Sequence, residues 1–221
     1  MSPKVNKQDY VNLLHSKPWV EIDQHFGSMN LIEPQYVNKI NIDPQQWIDF
    51  SVDYFDDALQ MWEEPRPHYD TISKWIAEKN VELGRGPGNS FELNYGIDGN
   101  SGEVLKELLG DNNINQLGLS NKNLLVRLVV NLPGNGVAWH FDGDGRYKQK
   151  YSNVNFEKNT VVRYWFSVTD WCYGQVFQVG PRVLSHWKSG DVWHIPFGVP
   201  HGSMNFGYNI KYTVAITGII K

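Results

Sequence analysis

The sequence predicts an α+β, mainly β chain: an antiparallel sandwich or jelly roll behind a helical first half. Two observations carry that reading. From about Leu124 onward, apolar and polar residues alternate over Leu124 to Asn131, Thr160 to Val168, Gln175 to Val179, Asp191 to Pro196 and Lys211 to Gly218, which is the period of half-buried strands. Turns rich in Gly, Pro, Asn and Asp separate these runs, and no helical period lies between them, so the strands must pair with one another. Upstream the apolar spacing is helical. The 221 residues fit a single domain, 1–221, with 1–120 as a helical N-terminal support region and 121–221 as the jelly-roll core.

Taken in order, a short amphipathic segment is expected at Lys7 to His15. A longer helix opens at Asp43-Pro44, a cap followed by proline in the first turn, and Trp47, Phe50, Tyr54, Ala58 and Met61 recur along it at core spacing. A third helix is expected over Thr71 to Lys79, with Ile72, Trp75 and Ile76 inward. The glycine-rich stretch Gly84 to Asn89 reads as a turn, because it lacks both the Lys-Ser/Thr ending of a phosphate loop and the spacing of a dinucleotide turn. Three of the later strands carry a cation on the face opposite their apolar one. Arg127 shares its face with Asn131, Arg163 with Trp165 and Ser167, and Lys211 with Thr213. Together they predict a polar cavity.

Composition excludes several classes. With 41% hydrophobic, 20% charged and 14% aromatic residues the chain is a folded globular protein. Cys172 stands alone, so neither an intrachain disulfide nor a cysteine-rich metal module is possible. A net charge of −4 and a pI near 6.0 offer no basic field for a phosphate backbone. No nucleic-acid partner is therefore expected; a small-molecule or peptide substrate is. The polar N-terminus, and an apolar stretch from Asn123 to Leu132 that Arg127 interrupts, give no signal peptide and no membrane span. A cytoplasmic protein is expected, and the oligomeric state is left open.

Two of the seven histidines begin a His-x-Asp triplet, His68-Tyr-Asp70 and His140-Phe-Asp142. The first follows Pro65 and Pro67 and leads into a helix, where residues two apart diverge by about 200° and do not share an ion. The second ends the extended run Gly136 to Trp139, where imidazole and carboxylate can converge on one metal. A third ligand, His201, follows a strand and tight turn within Gly190 to Asn205. The anchors Gly190, Pro196, Gly198, His201 and Asn205 resemble the second motif of the cupin superfamily. Gly134 and His140-Phe-Asp142 resemble its first motif, with Asp in place of a second His and without the Glu that should follow, since Arg146 and Tyr147 stand there.

His-x-Asp with a distant His is also the pattern of the iron(II)- and 2-oxoglutarate-dependent dioxygenases, which share the double-stranded β-helix with cupins. That resemblance implies His140, Asp142 and His201 as catalytic Fe(II) ligands on one octahedral face, with sites left for the cosubstrates 2-oxoglutarate and O2. Lys211-Tyr-Thr213 resembles the family's Arg-x-Ser pair and would bind the far carboxylate of 2-oxoglutarate, as Lys does in the prolyl 4-hydroxylase branch. Val162 to Phe166, Ser189 to Trp193 and Pro200-His201 to Lys211 resemble the aspartyl/asparaginyl β-hydroxylases and bacterial amino-acid (proline) hydroxylases. There an Arg, here Arg163, helps bind the oxoacid; Trp165 replaces the His usual two residues later, and a structural ion pair is the alternative for Arg163.

The resemblance spans roughly Leu124 to Gly218 and implies hydroxylation of an unactivated C–H bond, in a free amino acid or a peptide side chain, with release of succinate and CO2. Because Asp142 keeps the carboxylate, halogenation is not expected. The rival reading is a cupin-like protein, either a sugar-binding module or a metalloenzyme that does not use 2-oxoglutarate. His186 and His194 alternate with Trp187 and Trp193 and read as packing groups. Gly143 to Asn159, with Arg146, Lys148, Lys150 and Lys158, reads either as a solvated loop or as a mobile lid selecting an anionic substrate.

Overall fold

The computed structural model describes residues 33–54, 90–95, 103–140, 142–156 and 160–221. The segments Lys7 to His15, Thr71 to Lys79 and Gly84 to Asn89, the triplet His68-Tyr-Asp70, and Ala58, Met61 and Lys158 lie outside them.

Two antiparallel sheets face each other. The larger has β1 (Gln35–Lys39), β8 (Asp191–His194), β5 (Val161–Ser167), β10 (Lys211–Ile219), β3 (Leu125–Asn131) and β2 (Ser90–Tyr95) in that spatial order. The smaller is ordered β4 (Asn135–His140), β9 (His201–Asn205), β6 (Gln175–Val179) and β7 (Arg182–Leu184). From β3 onward the chain passes back and forth between the sheets, and the order 8-5-10-3 over 4-9-6-7 is that of a double-stranded β-helix.

Alternation along each strand divides the residues between two cores. Val126, Leu128 and Val130 of β3, Val162, Tyr164 and Phe166 of β5, and Val214 and Ile216 of β10 point outward from the barrel into the larger core. Helices cover that face: α1 (Pro44–Asp53), α2 (Val104–Leu109) and α3 (Asp111–Gln116). Asp43 caps α1 by accepting the Gln45 N–H at 3.0 Å, and Pro44 sits in the first turn as the sequence predicts. The fully buried Trp47 meets the edge of Phe166 with ring centroids 5.7 Å apart. The opposite face of the sheet looks into the barrel, where Trp165, Phe177, Val179, Trp187, Ile195 and Val199 form a second core. Arg127, Arg163 and Lys211 all lie on that inner side.

Two expectations need correction. The region 1–120 is not purely helical: β1 and β2 come from it and form the two edges of the larger sheet. β1 pairs with one neighbour only, carries a bulge between Tyr36 and Asn38, and is mostly exposed, so it has no buried face to mark it in sequence. The insertion after Asp142 is not an unanchored loop. Gly145–Lys150 forms helix α4; Tyr147 is buried and its hydroxyl donates to the Asn123 carbonyl, while the Tyr151 hydroxyl donates to that of Leu124 at 3.1 Å.

Candidate metal centre

His140 is the last residue of β4 and lies opposite His201, the first of β9, so backbone pairing alone brings these two positions together. Residue 136 must be glycine for that pairing: a Cβ there would stand 2.1 Å from the Ser203 carbonyl oxygen. The chain then turns through Asp142, whose carbonyl accepts the Gly198 N–H at 3.0 Å. Gly198, at φ +74°, permits the bend from β8 to β9 that delivers His201. Strand pairing, one cross-loop hydrogen bond and one left-handed glycine thus place the three sequence-predicted ligands at one end of the barrel.

His201 is buried, and its Nδ1 lies 2.9 Å from the Val199 carbonyl. A carbonyl only accepts, so Nδ1 carries a proton, and Nε2 presents a lone pair to Arg163 Nη2, which only donates. That lone pair lies 3.2 Å from Asp142 Oδ2. Two electron-rich atoms hold such a position when a cation lies between them or beside them. Arg163 supplies one here, with Nη1 paired to Asp142 Oδ2 and Nη2 lying 3.3 Å from His201 Nε2. A separation on the order of 3 Å is also what two adjacent donors about 2.1 Å from one octahedral ion require. The donor pair therefore fits a divalent metal. Among the described side chains no group of three His, Cys, Asp or Glu is gathered, and His140 is placed by its backbone register opposite His201 alone.

Lys211 lies deeper in the barrel and is fully buried. Its Nζ donates to the Val176 carbonyl at 2.5 Å and to Ser203 Oγ at 2.7 Å, and it stands 5.3 Å from the ring centre of Trp187 and 5.9 Å from that of Phe177. These hydrogen-bond partners are neutral. Burial without a counter-charge pulls its ammonium down to about pKa 7. Ser203 hands the bond on to Asn131 Oδ1 at 3.1 Å. Because His201, Ser203 and Asn205 alternate on one face of β9, the lysine contact falls one strand repeat along from the His201 imidazole. Phe177 bridges the two, its ring edge-on to His201 with centroids 6.1 Å apart. Thr213 shares the inner face of β10 with Lys211 and is buried, with Oγ1 3.5 Å from the Val129 carbonyl.

The structure brings His140, Asp142, Arg163 and His201 to one end and Lys211 and Thr213 to the interior behind them. Arg163 does form an ion pair, and its partner is the candidate metal-binding carboxylate. Trp165 fills the barrel between these groups, stacked on Phe177 at 4.5 Å and edge-on to Trp187 at 5.3 Å. His186 stacks on Trp171 at 4.2 Å, and His194 meets Tyr164 at 6.0 Å, so both sit in the packing roles expected. Sequence reasoning missed Ser203, and it placed Asn131 on the polar inner face without a partner on the other sheet. The period-two run His201-x-Ser203-x-Asn205 was the available signal for the first.

No protein-family model matches the chain, and no curated protein does. Similar solved structures include a cupin-2 barrel domain protein from Salinispora arenicola, with 15% identity over 45% of this chain and 66% of that one at a TM-score of 0.30. A cupin-2 domain protein from Shewanella frigidimarina shares 14% identity over 45% of this chain and 74% of that one, also at 0.30. A predicted oxalate decarboxylase from Thermotoga maritima shares 17% identity, covering 43% of this chain and 65% of that one, at 0.31. The fold rests on the strand order of the two sheets. Among the described residues no helix is long and apolar enough to cross a membrane.

Proposed function

We propose that this protein is an Fe(II)- and 2-oxoglutarate-dependent dioxygenase that hydroxylates a C–H bond of a small substrate, an amino acid or a peptide side chain. One observation carries the reading: a carboxylate–imidazole donor pair 3.2 Å apart shares one barrel with a fully buried lysine that has no carboxylate partner among the described residues. A metal centre alone does not require that lysine; a cosubstrate with a second carboxylate does.

His140, Asp142 and His201 would hold the iron, which supplies oxygen activation when 2-oxoglutarate is decarboxylated to succinate and CO2. The other groups position and shield. Val199 fixes the His201 tautomer through Nδ1, keeping Nε2 available. Arg163 orients the Asp142 carboxylate and adds positive charge beside it for the oxoacid end of the cosubstrate. Lys211 and Thr213 would hold the far carboxylate, and the Trp165, Phe177 and Trp187 rings exclude water between the two ends.

Screening free amino acids and short peptides for stimulated succinate release tests the reading. A substrate that accelerates release in wild-type protein but not in Asp142→Ala is the expected result. Metal binding without any use of 2-oxoglutarate would instead leave a cupin-like metal- or sugar-binding protein.

A further inference from the structure

The hydrogen-bond partners of Lys211 match in number the donors of a neutral amine. A neutral amine has two N–H donors, and the structure provides two acceptors, the Val176 carbonyl and Ser203 Oγ. The Ser203 hydroxyl donates in turn to Asn131 Oδ1, another uncharged group. An ammonium would carry a third N–H. What faces that position are the rings of Trp187 and Phe177, which favour a cation but do not replace a counter-ion.

The surrounding elements add little charge. β9 presents Ser203 and, one repeat away, His201; β6 presents the Val176 carbonyl and Phe177; β3 places Asn131 opposite Lys211 and, two repeats along the same inner face, the cation Arg127 opposite Ala215. β5 presents Ser167 and Trp165 before Arg163, which pairs in register with Thr217 at the far end of β10. Asp142, the carboxylate of the candidate metal centre, is engaged with Arg163 and His201.

We infer that binding of the far carboxylate of 2-oxoglutarate is coupled to uptake of one proton from solvent by Lys211, so that cosubstrate affinity falls as pH rises. The inference rests on the proposed cosubstrate role of Lys211 and goes beyond it: the cation is made by the ligand's arrival rather than held ready for it. Third N–H, ring faces and carboxylate then act together, and in the ligand's absence the barrel avoids an uncompensated charge. Burial that lowers the ammonium to about 7 sets the range in which the coupling operates.

The test is calorimetric titration of Mn(II)-loaded protein with 2-oxoglutarate between pH 7.5 and 9, in buffers of different ionisation enthalpy. Wild type should take up close to one proton, and its Kd should rise about tenfold per pH unit. Lys211→Arg keeps a permanent cation at the same place and should bind with little proton uptake and a nearly flat Kd. His201 is unchanged in that variant, so equal uptake in both proteins assigns the proton elsewhere and overturns the inference. Binding by wild type without uptake overturns it as well, leaving the cosubstrate role intact. If 2-oxoglutarate does not bind at any pH, the cosubstrate role itself falls, and the inference with it. Where the arginine variant does not fold, the wild-type titration decides: uptake near one proton with a tenfold rise in Kd per pH unit supports the inference, and absence of either overturns it.

Discussion

Asp142 and His201 are 59 positions apart in the chain, yet their Oδ2 and Nε2 atoms are 3.2 Å apart in the barrel. Their approach follows from β4–β9 pairing and from the Gly198 to Asp142 hydrogen bond, so it is a property of the backbone. His140→Ala, Asp142→Ala and His201→Ala should each weaken Mn(II) binding by at least about a hundredfold. His68→Ala should not change it. Manganese electron paramagnetic resonance titration reads this directly, and equal loss in the His68 variant would move the centre to the other triplet.

Arg163 and a metal ion would both neutralise Asp142. Removing the guanidinium leaves a partly buried carboxylate beside a lone pair, which should destabilise the metal-free protein by about 2 kcal/mol for Arg163→Gln, the low end for such pairs because Asp142 is partly exposed. Metal should restore much of that loss. Differential scanning fluorimetry should therefore show a larger Mn(II)-induced rise in Tm for Arg163→Gln than for wild type. An equal rise would mean that Arg163 and the metal do not share the task of neutralising Asp142.

Lys211 also makes stability depend on pH. Its pKa falls from 10.5 to about 7 on folding, so between those values the unfolded chain binds a proton that the folded chain does not. Stability of ligand-free protein should rise as pH rises through that window. Below about pH 7 both states are protonated and the buried charge carries its full desolvation cost. Lys211→Met should flatten the slope and raise Tm at pH 6; urea titrations at a series of pH values measure both effects.

The helical insertion after the candidate ligands is anchored through Tyr147 and Tyr151 to the start of β3. Tyr147→Phe should cost about 1 kcal/mol, one hydrogen bond. The Tyr151 amide, which donates to the Tyr147 carbonyl at 3.0 Å, should exchange slowly in native-state hydrogen exchange. Rapid exchange there would support the mobile lid instead.

The barrel was legible because strands such as Val126-Arg127-Leu128 and Val162-Arg163-Tyr164 bury one face in apolar core and turn a cation to the other. Edges were not. Gln35–Lys39 is mostly exposed, and Arg182–Leu184 is only three residues long, so neither has a periodic signal to read. α2 and α3, six residues each, are likewise too short for a helical period to stand out. At the site, His140, Asp142, His201 and Lys211 were legible from local spacing. The Lys211–Ser203–Asn131 chain was not, because Asn131 and Ser203 are 72 positions apart and meet only when the two sheets close.

The central claim is that one barrel holds a metal at Asp142 and His201 and the carboxylate of an oxoacid at Lys211. Anaerobic protein loaded with Fe(II) and titrated with 2-oxoglutarate tests it most directly. A weak visible charge-transfer band that saturates with 2-oxoglutarate in wild type, and needs far more of it in Lys211→Met, is the expected result. Stoichiometric Fe(II) binding with no such band at any 2-oxoglutarate concentration would contradict the account.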